Sequence, residues 1–216
     1  MSEEAHQREQ ICLLAKSMYD RGLTAGASGN ISVRLSDGRF LVTPTGSCFG
    51  RLDPARLSLC DGDMTLLAGD APTKEIPLHR AFYETRSVAG AVVHLHSSHS
   101  VALSVLPDTD PDNMLPALTA YGIMRLGKVK LLPYFMPGDV AMGAAIRGLA
   151  GRRSAVVLAH HGPVVAGKDL EAAVYAAEEL EETAKLALLT RGLNPTLLDG
   201  AQINGLVSKF GVQWDD

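Results

Sequence analysis

The chain has 216 residues, of which 46% are hydrophobic and 20% charged, and its formal net charge is -4. These values predict one globular domain with an ordinary apolar core. The excess of acidic residues argues against a general nucleic-acid binder, which needs a basic face to neutralise phosphates. No apolar run is as long as a membrane span, and the acidic start of the chain lacks the apolar core of a secretory signal. We therefore expect a cytoplasmic protein that binds neither nucleic acids nor membranes.

The cysteines Cys12, Cys48 and Cys60 are odd in number and lack CxxC spacing. This pattern predicts neither a disulfide framework nor a zinc site made of thiolates.

The first half of the chain predicts one helix, two β-hairpins and a second helix. Residues 10–19 carry apolar side chains at helical spacing, and Gly22 is a suitable helix end. Pro77 is tolerated only in or near the first turn of the second helix. The predicted hairpins pair 31–35 with 40–43 and 57–60 with 64–67, and the second helix runs from about 73–76 to 86.

The second half predicts buried strands between helices. The predicted strands are 91–96, 129–133 and 155–159. One predicted helix begins after residue 96 and ends at 106, and two more span 139–149 and 169–191. Residues 107–116 and the segment around Tyr121 are predicted loops. Interleaved hairpins and helices favour a single α/β domain over residues 1–216, with a mixed or antiparallel sheet layered by helices.

Two histidine clusters lie at predicted strand ends. His94 and His96 are two residues apart, so on a strand both imidazoles project from one face, while Leu95 points to the core. A lone HxH is more often an ordinary edge-strand feature. However, the pair His160-His161 closes another apolar strand, and with His99 these clusters hold five of the seven histidines. Three histidines with an open fourth position describe a catalytic zinc site.

Other candidate groups are weaker when taken singly. Glu75, at a predicted helix start, is a candidate acid/base that can also touch a metal, although a glutamate there is usually a partner of the helix dipole. Three turns can cradle a phosphate through free N–H groups and hydroxyls, although each is more often plain turn chemistry. These are Gly29-Asn30, Thr45-Gly46 and Thr73-Lys74.

In combination these motifs resemble the class II aldolase/adducin family over residues 8–192. The motifs in chain order are Gly29-Asn30-Ile31-Ser32-Val33-Arg34, Thr43-Pro44-Thr45-Gly46, Lys74-Glu75, His94-Leu95-His96 and His161-Gly162. The resemblance implies a single-domain α/β/α layered fold with a mostly antiparallel sheet. It also implies one zinc ion held by three histidines, and commonly a homotetramer with active sites at subunit interfaces.

Carried over by motif, the metal ligands are His94, His96 and His161, and Glu75 is the acid/base. Asn30, Thr45, Gly46, Thr73 and Lys74 are the phosphate-binding residues. His160 is not expected to be a ligand, because neighbouring residues on a strand face opposite sides. Non-catalytic adducin-like members lose the histidines, so the resemblance favours an enzyme.

Lys74 departs from the aldolase pattern, in which a neutral hydroxyl precedes the glutamate. A substrate with a second anionic group explains an added cation. With Tyr121-Gly122-Ile123-Met124-Arg125 and the His94–His99 run, this feature resembles the subgroup that decarboxylates 3-oxo-tetronate 4-phosphate. Zinc would stabilise the enediolate left by loss of CO2, and protonation by Glu75 or Tyr121 would give dihydroxyacetone phosphate.

Rival hypotheses remain open. A sugar-phosphate aldolase such as L-fuculose-1-phosphate aldolase, or L-ribulose-5-phosphate 4-epimerase, would use the same ligands. A metal-free adducin-like binding module is a third possibility, and a hydrolase with a zinc-bound hydroxide is a fourth. Metal content and the products released distinguish these four.

Overall fold

The computed structural model describes residues 1–214, so residues 215–216 of the predicted domain lie outside the described range. The strands are β1 Asn30–Arg34, β2 Phe40–Val42, β3 Ser58–Cys60, β4 Leu66–Ala68, β5 Ala91–His94, β6 Lys130–Leu132, β7 Ala155–Leu158 and β8 Gly162–Gly167. The helices are α1 Glu3–Asp20, α2 Ile76–Thr85, α3 Ser98–Ser104, α4 Ala120–Leu126, α5 Ala141–Gly148, α6 Leu170–Thr190 and α7 Gly200–Phe210.

The strands form one sheet in the order β4-β3-β2-β1-β5-β8-β7-β6. Neighbouring strands are antiparallel except β6 and β7, which are parallel. The predicted α/β class and mostly antiparallel sheet are therefore confirmed.

Helices cover both faces of the sheet. Strand β5 illustrates this, because Val93 belongs to the core under α1, α3 and α6, whereas Val92 belongs to the core under α2 and α5. Both residues are 0% exposed, as expected for a central strand buried on both faces. The helices and the sheet therefore form the predicted α/β/α layers. Within residues 1–214, no helix has the length and apolar character that crossing a membrane requires.

Three elements differ in kind from the sequence prediction, and strand β5 ends at His94 and not at 96, so that His96 lies just beyond the strand. Tyr121 lies on helix α4 and not on a loop, because the Thr119 side chain accepts a hydrogen bond from Gly122 N at 3.0 Å and starts a two-turn helix too short to show a period. Strand β8 was missed because Pro163 argues against a strand, yet it lies at the second position of β8. Helix α7 was missed although Asp199 and Gln202 form a capping box.

Glu181 of helix α6 fixes the start of helix α3. Its carboxylate accepts hydrogen bonds from His99 N at 2.8 Å, His99 Nδ1 at 2.7 Å and Ser100 N at 2.9 Å, and from Ser100 Oγ. The negative charge satisfies N–H groups that have no partner inside the helix. Since α3 begins two residues after His96, this contact also holds the chain that follows the histidine.

We expect Glu181→Gln to lower the free energy of unfolding by about 1.5–3 kcal/mol, because an amide replaces a charged acceptor. Urea denaturation measures this change. Glu182→Gln is the matched control, since Glu182 lies one residue further along α6 with its side chain 58% exposed and, within residues 1–214, forms an ion pair only with Lys185. The control should change stability by less than about 0.5 kcal/mol. Equal stability of the two variants would contradict the anchoring role of Glu181.

Candidate active site

The predicted ligands meet at one edge of the sheet. In the register of β1 and β5, Asn30 at the start of β1 pairs with His94 at the end of β5. His94 also pairs with Val164 near the start of β8. His161 lies in the turn that joins β7 to β8. The start of one strand, the end of another and a tight turn are therefore neighbours in space.

Two glycines allow the loops to pack against the end of β5. At Gly29 (φ +85°) a Cβ would lie 2.9 Å from the carbonyl oxygen of His94. At Gly162 (φ +148°) a Cβ would lie 2.1 Å from the carbonyl oxygen of Leu95. Only glycine combines these backbone angles with such close approach. The Gly29-Asn30 and His161-Gly162 motifs therefore have a steric cause.

The three predicted metal ligands form a nearly equilateral triangle of Nε2 atoms. The distances are 3.1 Å between His94 and His96, 3.1 Å between His96 and His161, and 3.3 Å between His94 and His161. Zn–N bonds of about 2.0–2.1 Å in a tetrahedral site put ligand nitrogens about 3.3–3.4 Å apart. The donor set therefore fits a small divalent ion of this kind.

The surroundings keep these imidazoles neutral, as metal ligands must be. Burial, and then the repulsion that protonated His161 and His96 would exert on a protonated His94, hold the pKa of His94 well below its usual value. Burial also lowers the pKa of His96 and of His161. His94 Nδ1 lies 2.8 Å from the carbonyl oxygen of Pro163, so it is the donor and Nε2 keeps its lone pair.

Glu75 lies beside the triangle as the N-cap residue of α2, where Pro77 is accommodated in the first turn. Its Oε2 lies 3.4 Å from His94 Nε2, and its Oε1 lies 3.3 Å from His161 Nε2. Asn30 Nδ2 donates a hydrogen bond to Oε2 at 2.7 Å. With the three histidines, Glu75 forms a group whose ligand atoms all lie within 4.8 Å of one another.

A cleft of about 600 Å³ opens in front of this group. Glu75, His96 and His161 lie in its wall, whereas His94 is fully buried behind them. The predicted phosphate-binding residues Asn30, Thr45, Gly46, Thr73 and Lys74 all line it, with the aromatic rim residues Tyr134 and Phe135. Among the lining residues Lys74 is the one lysine or arginine and Glu75 the one carboxylate.

The phosphate-binding candidates differ in whether their polar side-chain groups already form contacts within the protein. The amide of Asn30 is engaged within the protein, because Nδ2 faces Glu75 and Oδ1 faces His79. Thr73 Oγ1 accepts a hydrogen bond from Glu75 N at 3.3 Å. Lys74 is exposed, and within residues 1–214 its ammonium group forms no ion pair. Their phosphate-binding role stays a prediction.

Two residues lie differently from the prediction. Tyr121 is 60% exposed and lines a separate depression with Arg125 and Tyr175, not the cleft. Within its own chain Tyr121 therefore does not reach the metal ligands, and its catalytic role stays a prediction.

His160 and His161 follow β7 in a turn, with His160 at φ 59°, so the argument from opposite strand faces was wrong. His160 stands apart from the triangle, although it lines the cleft. Its ring centroid lies 6.2 Å from that of Tyr134, edge to face.

Sequence reasoning missed His79, which is fully buried behind Asn30 and Glu75. Its Nε2 contacts Asn30 Oδ1, and its Nδ1 lies 2.8 Å from Ser32 Oγ. Burial and the neighbouring His94 lower its pKa to about 3, so the ring is neutral. The available signal was its position four residues after Glu75, which places both on one helix face.

Residues 9–188 match the family described as the class II aldolase and adducin N-terminal domain, and the chain belongs to that family. It is 43% identical to a 3-oxo-tetronate 4-phosphate decarboxylase of Cupriavidus necator, over 99% of this chain and 100% of that protein. It is 34% identical to an L-fuculose phosphate aldolase of Escherichia coli, over 95% of this chain and 93% of that protein. The crystal structure of YgbL from Escherichia coli has a TM-score of 0.92 and 43% identity, covering 95% of this chain and 99% of that one. These relatives confirm the predicted family, fold and enzyme class, a carbon–carbon lyase.

We expect His94→Ala, His96→Ala and His161→Ala each to lose most of about one bound metal ion per chain while the fold persists. Metal analysis of the purified variants, with circular dichroism for the fold, measures this. His160→Asn is the control and should keep the full complement of metal. Retention of metal in all three alanine variants, or its loss only in His160→Asn, would contradict the assignment.

Proposed function

We propose that the protein decarboxylates 3-oxo-tetronate 4-phosphate to dihydroxyacetone phosphate and CO2, with zinc as the metal ion. The observation that carries this proposal is one cleft in which the group of three imidazoles and the Glu75 carboxyl meets the Lys74 ammonium, which forms no ion pair within residues 1–214. The full-length identity to a relative of that name supports it.

His94, His96 and His161 would hold the ion. When bound, a divalent ion supplies a Lewis acid that polarises the C3 carbonyl of the substrate. In the substrate, the bond between C1 and C2 breaks, CO2 leaves, and the electron pair moves toward the C3 oxygen. A proton must then be added at C2 to give the product.

Glu75 is the residue placed to carry that proton. Asn30 holds Oε2 at 2.7 Å, which leaves Oε1 as the oxygen that can exchange a proton with the substrate. A carboxyl group positioned within hydrogen-bond reach contributes about 10²–10⁴-fold as a general acid or base. An aldolase would use the same oxygen in the opposite direction, as the initial base.

The phosphate would lie against the turns at Thr45-Gly46 and Thr73-Lys74, which line the cleft. Thr45 N and Thr73 N donate to carbonyl oxygens of the protein, so the donors offered to a phosphate would be the threonine hydroxyls and the N–H groups of Gly46 and Lys74. Gly46 has φ 67°, a backbone angle that suits a concave anion-binding turn. Lys74 adds a positive charge beside Glu75. Because these neutral groups would serve the phosphate, Lys74 would be free to pair with the substrate carboxylate.

A sugar-phosphate aldolase is the second candidate, because a relative named L-fuculose phosphate aldolase also matches nearly the whole chain.

We further propose a cytoplasmic homotetramer in which Tyr121 reaches the cleft of a neighbouring subunit. Its 60% exposure on a surface apart from its own cleft supports this arrangement. Light scattering measures the subunit number.

We expect Lys74→Ser to reduce turnover of 3-oxo-tetronate 4-phosphate about 10- to 150-fold at low substrate concentration, because a charge-assisted hydrogen bond is lost. Metal content should not change. Lys185→Ser, an exposed lysine on α6 paired with Glu182, is the control and should behave like the parent.

The assay measures CO2 and dihydroxyacetone phosphate together, and a parallel panel of phosphorylated ketoses tests for aldehyde release. Unaltered kinetics of Lys74→Ser would refute the carboxylate-binding role. Release of an aldehyde from a ketose phosphate, without CO2 from the acid, would favour the aldolase.

A further inference from the structure

Helix α2 and strand β1 are joined by a line of alternating polar side chains. Glu75, His79 and Tyr83 are four residues apart and lie on one face of the helix. Asn30 and Ser32 are two residues apart and lie on the face of β1 toward that helix. The two sets interdigitate, so that each strand residue lies between two helix residues.

Continuous hydrogen bonds connect these five side chains. Asn30 Nδ2 lies 2.7 Å from Glu75 Oε2, and Asn30 Oδ1 contacts His79 Nε2. Ser32 Oγ lies 2.8 Å from both His79 Nδ1 and Tyr83 Oη. All but Glu75 are buried, with His79 and Ser32 at 0% exposure. Because water has little access, each of these bonds is strong and its loss is not compensated.

The chemistry of the groups fixes the direction of every bond. Glu75 Oε2 is an acceptor in the carboxylate and also when the proton is held on Oε1, so the amide nitrogen of Asn30 must face Glu75 and the amide oxygen must face His79. His79 therefore carries its proton on Nε2. Its Nδ1 accepts from the hydroxyl of Ser32, whose oxygen accepts from Tyr83. All donors in the line point toward Glu75.

We propose that His79 is a positioning residue, which locks the Asn30 amide so that Asn30 can hold the Glu75 carboxylate in its reactive orientation. This inference rests on the proposed function, in which Glu75 handles the proton. Without the Nε2–H donor, the Asn30 amide could turn over and present its oxygen to the carboxylate. Glu75 Oε2 would then lose its hydrogen bond at a place where His94 Nε2 lies only 3.4 Å away.

A purely structural role for His79 would predict a different result. Such a role would lower stability and affect catalysis only as far as the fold is weakened. The line ends on the carboxylate in the cleft wall and not on a backbone group, which is what a positioning role requires. Substitutions that separate stability from turnover therefore distinguish the two.

The test compares His79→Gln with His79→Phe. Glutamine can present an amide N–H near the position of Nε2, whereas phenylalanine keeps the ring volume and removes both polar atoms. We expect His79→Phe to lower kcat at least about 10-fold with KM changed less than about 3-fold and the metal content unchanged. His79→Gln should recover most of kcat.

Ile146→Ala is the stability control, because Ile146 is 2% exposed in the same core and contributes no atom to the line. It should lower the thermal midpoint and leave kcat unchanged. A kcat loss in Ile146→Ala that matches the loss in His79→Phe at equal stability would overturn the proposal. Full kcat in His79→Phe, or no recovery in His79→Gln, would also overturn it.

A second readout does not depend on turnover. Nitrogen-15 NMR of the whole protein reports which nitrogen of His79 carries the proton, and the proposal requires the Nε2–H form. The Nδ1–H form would refute it.

Failure of the proposed function can be told apart from failure of this proposal. If the parent releases an aldehyde from a ketose phosphate and no CO2 from the acid, the proposed function fails. The kcat comparison then uses the ketose phosphate as substrate and still decides the role of His79.

Discussion

Bringing three imidazole nitrogens within 3.3 Å of one another is unfavourable without a cation, because their lone pairs converge on one point. The fold imposes this arrangement by backbone geometry. The register of β1, β5 and β8 sets the edge of the sheet, and the glycines at 29 and 162 let the loops approach β5. Burial then keeps the rings neutral, as lowered pKa values at His94, His96 and His161 indicate.

The cleft depends on the same arrangement. Because α2 begins beside the end of β5, its N-cap residue Glu75 lies next to the imidazoles and Lys74 lies on the cleft wall. On the far side, Glu181 anchors α3 and so holds the chain that follows His96. Buried polar contacts on both sides of the sheet thus restrain the groups that would act on substrate.

Much of the site could be predicted from the sequence, because its residues lie in short local patterns. The HxH motif, the HHG turn and the Lys74-Glu75 pair each mark an element end, where a side chain is free to face a cleft. The hairpins and long helices were also found, since their periodicity and turn residues are local signals.

What was missed depends on contacts between distant residues. Helix spacing places His79 on the same face as Glu75, but its contacts with Asn30 and Ser32 depend on β1 lying against α2, which local patterns do not reveal. Strand β8 contains Pro163, a residue type that predicts the absence of a strand. The carbonyl oxygen of Pro163 accepts the hydrogen bond that orients His94. Tyr121 lies on a helix too short to predict, on a surface away from its own cleft.

The central claim is that the three imidazoles form one metal site. Anomalous diffraction from crystals of the purified protein, recorded at the zinc absorption edge, tests it most directly. We predict a single strong peak per chain, about 2.0–2.1 Å from Nε2 of His94, His96 and His161. A peak bound through His160, or crystals grown with zinc that show no peak between these three residues, would contradict the account.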